Sequence, residues 1–215
     1  MNRALTTALI IAAFAPLSLA VSTTAAAEGA PGGDVVMRQL WRTQKADTVE
    51  TVQRVYGRVV RLKLPRPFVL ADRQEQRGFF IAEYVPDGET VDNWTRMITV
   101  TGTRGGGAAH VTDAQLAAKF EPPACPAKIF RDLGPTKSFA GVTGRMVVIG
   151  CGAPDQAGAE HGVIGVYRDT ADSWTVQYAE RNHGKPPFSP EQAVARLDAL
   201  APAVIPLSPA TGAAK

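Results

Sequence analysis

The chain has 215 residues, with 23 Lys and Arg against 20 Asp and Glu and a formal net charge of +3. So small an imbalance, with no concentrated basic stripe, argues against nucleic-acid binding. A 45% hydrophobic and 20% charged composition suits one domain with a sizeable core and excludes a disordered chain.

Residues 1–27 read as a secretory signal peptide. Arg3 gives a positive start, Ala4 to Ala20 form an apolar run interrupted by Thr6, Thr7 and Pro16, and Ala25 to Ala27 supply small residues before Glu28. The run is short for a membrane span, and no later segment approaches spanning length. The expectation is therefore a periplasmic or secreted protein starting at Glu28, with no membrane span after cleavage. No Cys sits near the cleavage region to carry a lipid anchor. Export also sets the redox chemistry. Cys125 and Cys151 are the two cysteines, and in an oxidising compartment they read as one disulfide, stabilising by about 3–4 kcal/mol. The alternative is a pair of separate buried thiols. A redox-active pair is disfavoured because no C-x-x-C spacing occurs.

Along the remaining chain, residues 28–55 lack a clear period and predict a loosely ordered N-terminal segment. A single domain is expected over 56–202. Its first strands are Val59 to Leu64 and Phe68 to Ala71. The polar group Asp72 to Arg77 predicts a turn, and Gly78 to Val85 a returning strand with both faces partly covered. After the Pro86-Asp87-Gly88 turn, Thr90 is placed to cap a short helix carrying Val91, Trp94 and Met97 on one face. Ile98 to Thr101 is extended, and 102–109 is a glycine-rich loop. Thr112-Asp113-Ala114-Gln115 is a capping box opening a second helix, with Leu116 and Phe120 on its buried face. Met146 to Ile149 and Gly162 to Tyr167 are apolar strands. Trp174, Val176 and Tyr178 alternate with polar or small neighbours, as a half-buried antiparallel strand does. Ser189-Pro190-Glu191-Gln192 combines a cap, a first-turn proline and a capping box, with Val194, Leu197 and Ala201 facing inward. Residues 203–215 read as a disordered tail. Strands in groups, without βαβα alternation, predict an α+β fold: a mostly antiparallel sheet with helices packed on it.

Catalytic and metal signatures are absent from the linear pattern. No G-x-S-x-G elbow and no H-E-x-x-H motif occurs, and His110, His161 and His183 are scattered. Ser138 and Ser173 stand alone, and Ser189 is already explained as a helix cap. The reading assigns no catalytic residue, no metal and no cofactor. Gly102 to Gly107 lacks the Lys-Ser/Thr ending of a phosphate loop and reads as a mobile connector, although Arg104 is placed to touch an anion. Arg58, Arg61, Lys63 and Arg66 form the one basic cluster. Arg61 and Lys63 share a strand face. Such a cluster first suits a solvated face, or a charged edge that discourages strand pairing, and second contact with an anionic partner.

The stretch Phe80 to Thr99, strand, Pro-Gly turn and tryptophan segment, resembles small exported bacterial proteins. With the later strands and the capped last helix, the element order resembles the PsbP/Mog1-like α/β/α sandwich. That resemblance implies an accessory protein of a larger assembly, with no catalytic set to carry over. The leading expectation is a non-enzymatic exported protein that binds an envelope protein or component through Arg61, Lys63 and Arg104. The alternatives are a small-molecule binder with a pocket between sheet and helix, and a hydrolase assembled from His110 or His161 with distant Ser, Asp or Glu.

Overall fold

The computed structural model describes residues 41, 45–108, 110–125, 127–137, 142–152, 159–181 and 188–207. The expected signal peptide lies outside the described residues. The elements among the described residues follow in the order β1 (Thr48–Val55), β2 (Arg58–Pro65), β3 (Phe68–Gln76), β4 (Phe79–Pro86), β5 (Arg96–Thr103), α1 (Asp113–Ala118), β6 (Lys128–Pro135), β7 (Thr143–Cys151), β8 (Glu160–Arg168), β9 (Ser173–Arg181), α2 (Pro190–Leu200) and β10 (Ala203–Pro206). They form two antiparallel sheets. The smaller has the order β1-β2-β10, and the larger β3-β4-β5-β9-β8-β7-β6.

The small sheet and α2 cover one face of the large sheet. Period-2 alternation sends Phe80, Ala82, Ile98, Val100, Trp174, Val176 and Tyr178 to that face, where they meet Val55, Leu62, Leu64, Leu197 and Leu200 in one buried cluster. The approach is close enough to require glycine at 102, since a Cβ there would lie 2.3 Å from Val55 Cγ1. Trp174 seals the contact by donating its indole N–H to the Val55 carbonyl.

This arrangement corrects the expected fold class. Strand accounts for 55% of the described residues and helix for 12%, so the molecule is a sheet-rich β fold and not a helix-packed α+β sandwich. The physical reason lies in three segments. Thr48 to Val55, read as loose, pairs along its length with β2. Ala203 to Pro206, read as tail, pairs with the other edge of β2. A second sheet therefore occupies the layer expected for helices. The third segment is 90–95, which is irregular and not a tryptophan helix: Thr90 and Asn93 exchange backbone hydrogen bonds at 3.1 Å. Buried Trp41 joins the main core, its indole N–H donating to the Phe68 carbonyl at 2.7 Å. Both predicted capping boxes are formed, at Thr112/Gln115 and Ser189/Gln192. Along α2, Ala193, Leu197 and Leu200 are buried, whereas Val194 is 38% exposed.

Candidate functional site: a cup on the second face of the large sheet

The opposite face of the large sheet receives the other alternate set of side chains, and these are not all apolar. Register aligns them in rows that cross the strands. Asp72 pairs with Glu83, Glu83 with Thr99, Thr99 with Gln177 and Gln177 with Ile164. The next row runs Gln74, Ile81, Thr101, Thr175, Val166. Thr101 and Thr175 join hydroxyls at 2.7 Å. Three consecutive strands and the distant β9 thus place one polar band on an otherwise apolar surface.

Walls rise around this floor. On the β7–β8 side stands α1, which packs Leu116 onto Val147, Ile149, Ile164 and Val166, with Phe120 just beyond the helix. Asp113 in its first turn bonds the Arg168 guanidinium and accepts from the Thr143 hydroxyl. The Cys125–Cys151 disulfide, spanning 26 positions, fastens the chain after α1 to the end of β7. This pairing is as expected from the sequence.

Residues 87–95 form the wall at another end. The Glu89 carboxylate accepts from the Thr95 backbone N–H at 2.6 Å and hydroxyl at 2.7 Å, folding buried Trp94 onto Val85, Met97 and Ala179. The Arg181 guanidinium lies 4.3 Å from the Trp94 ring centroid and donates to Glu160 at 2.8 Å. Trp94 Nε1 is the one buried side-chain nitrogen or oxygen among the described residues without a hydrogen-bond partner. The glycine-rich loop forms the rim near Thr103. It is not a loose connector: the Gly105 N–H donates to Asp172 Oδ1 at 2.9 Å. A Cβ at Gly107 would come within 2.3 Å of the Asp169 carbonyl.

These walls surround a cup of about 480 Å³, lined among others by Phe79, Ile81, Trp94, Met97, Leu116 and Phe120 together with Glu83, Thr99, Thr101, Thr175 and Gln177 of the polar band. Its volume and mostly apolar lining with a few polar groups match small-molecule sites. Glu83 dominates its electrostatics. It is 4% exposed, and burial, reinforced by the neighbouring Asp72 charge, pushes its carboxyl up to about 7. Among the described residues no cation pairs with it within ion-pair distance.

The residues singled out from sequence lie elsewhere. Arg61 and Lys63 project from β2 on the small sheet. Arg61 approaches Glu50 at 3.9 Å, and exposed Lys63 faces the same Glu50 in register. Arg104 follows β5 and sits 4.8 Å from the Tyr56 ring centroid. His110 is exposed on the connection to α1. Alternation along β8 sends the His161 ring to the main-core face, where it meets Phe188 edge-on at 4.3 Å. His183 and Ser138 lie outside the described residues. Ser173 borders the cup. Among the described residues no group of three or more metal-ligating side chains occurs.

Sequence reasoning missed Asp72, Glu83, Thr99, Thr101, Thr175 and Gln177. One signal was present: Glu83 is the single charge within the apolar run Phe79 to Val85. The described residues contain no helix long and apolar enough to cross a membrane. The chain matches no protein-family model, and no curated protein gives a significant match.

Proposed function

We propose that residues 28–215 act outside the cytoplasm as a binding protein that takes a small, largely apolar molecule into the cup. The observation that carries this reading is the partly open, mostly apolar concavity of about 480 Å³ crossed by one band of polar side chains. The disulfide supports the extracytoplasmic setting. A shaped concavity of this size supports a small molecule ahead of an envelope partner, since Arg61 and Lys63 lie on an exposed strand face beside Glu50. Nile red, a neutral apolar dye, provides the test. It should bind the exported chain with one site and a blue-shifted emission. Thr101→Phe, which fills the cup from its floor, should weaken that binding at least tenfold while the far-UV spectrum stays unchanged. Equal dye binding by the variant would remove the cup as the site.

A further inference from the structure

We infer that the molecule taken up by the cup carries a positively charged amine, held at Glu83, on an apolar body that lies against Met97, Ile81 and Phe120. This rests on the binding reading above and names the ligand class.

Three observations converge. First, Glu83 is a carboxyl group on the floor of the concavity, 4% exposed to solvent. A buried carboxylate without a cation is unfavourable, and a ligand cation removes that penalty. Second, Asp72 stands directly opposite it in register, held by the Gln74 amide at 2.7 Å. When Glu83 is ionised, the Asp72 carboxylate just outside the cup adds to its negative charge and disfavours an anionic ligand there. Third, an ammonium has three N–H donors, and the Thr99 hydroxyl, next in register to Glu83, and the Gln177 amide beyond it each carry an oxygen able to accept one.

The remaining charged groups around the cup are differently placed. Arg77 lies in the β3–β4 turn, at the far end of β4 from Glu83. Lys119 stands on the α1 wall, which packs on β7 and β8, about three strand spacings or roughly 14 Å across the sheet. Glu160 is engaged by Arg181, and His161 is turned onto Phe188. An amine meeting Glu83 therefore finds the one buried carboxyl of the cup that no cation of the described chain neutralises.

The test uses the exported full-length protein, Nile red and three competitors of one shape: 3-phenylpropylamine, 3-phenyl-1-propanol and 3-phenylpropanoate. At pH 8 the amine should displace the dye at a concentration at least tenfold below the alcohol and the carboxylate. In Glu83→Gln, whatever its own affinity for Nile red, the amine should compete no better than the alcohol. The preference should also shrink from pH 8 to pH 5.5 as Glu83 takes up a proton. An alcohol or carboxylate that competes as well as the amine overturns the inference and leaves the cup reading standing. So does a preference that survives in Glu83→Gln. Failure of Nile red to bind wild type removes the cup reading and this inference together.

Discussion

Glu83 makes stability depend on pH in the opposite sense to most carboxylates. Its carboxyl is raised from 4.5 to about 7 in the folded protein, so the native state holds a proton that the unfolded chain has already released. The favourable contribution is complete below pH 4.5 and fades as the pH rises through 7. A displacement of that size corresponds to about 3 kcal/mol at most. Glu83→Gln removes the titration while keeping the shape. The variant should exceed wild type by about 1–3 kcal/mol at pH 8 and match it near pH 4, as read from urea unfolding midpoints. An offset of equal size at both pH values would show that the charge of Glu83 carries no such penalty. This residue also shows where linear reading stops. A charge inside Phe79 to Val85 is visible in the sequence. That Asp72, Thr99 and Gln177 share its row is set by the pairing of β3, β4, β5 and β9, and no spacing along the chain encodes that.

At the level of elements, α1 is the wall most dependent on its fastenings. Six residues are too few for a helix to persist in water alone. It is held by the Thr112 cap, by the Asp113 contacts to Arg168 and Thr143, and by the disulfide after it. Thr112→Ala should cost about 1 kcal/mol, and the double Cys125→Ser/Cys151→Ser change about 2–4 kcal/mol. Both should speed amide exchange in 113–118 relative to β9. Unchanged exchange there would mean that packing of Leu116 alone secures the helix. The two capping boxes and the alternation of β9 were legible because each signal is local and uninterrupted. β6 was not, because Lys128 to Pro135 carries a register shift between Asp132 and Gly134 that breaks its alternation. β1 alternates exposed and half-buried positions, and its Thr, Gln and Val residues become a strand only because β2 offers a partner edge.

Across the whole molecule, two antiparallel sheets share one core, and the second face of the larger sheet is left to form the cup. The expected route to this state passes through export. Native material from the cell envelope or medium should start at Glu28 by mass spectrometry, and should show no titratable thiol in denaturant without reductant. Two reactive thiols on a chain that keeps Met1 would contradict that history. The order of the small sheet has a further bearing on timing. Its central strand, β2, is made early, yet one of its two neighbours is Ala203 to Pro206, near the carboxyl end. A growing polypeptide therefore cannot complete this layer until residues 203–206 have been added, well over a hundred positions after the strand they flank.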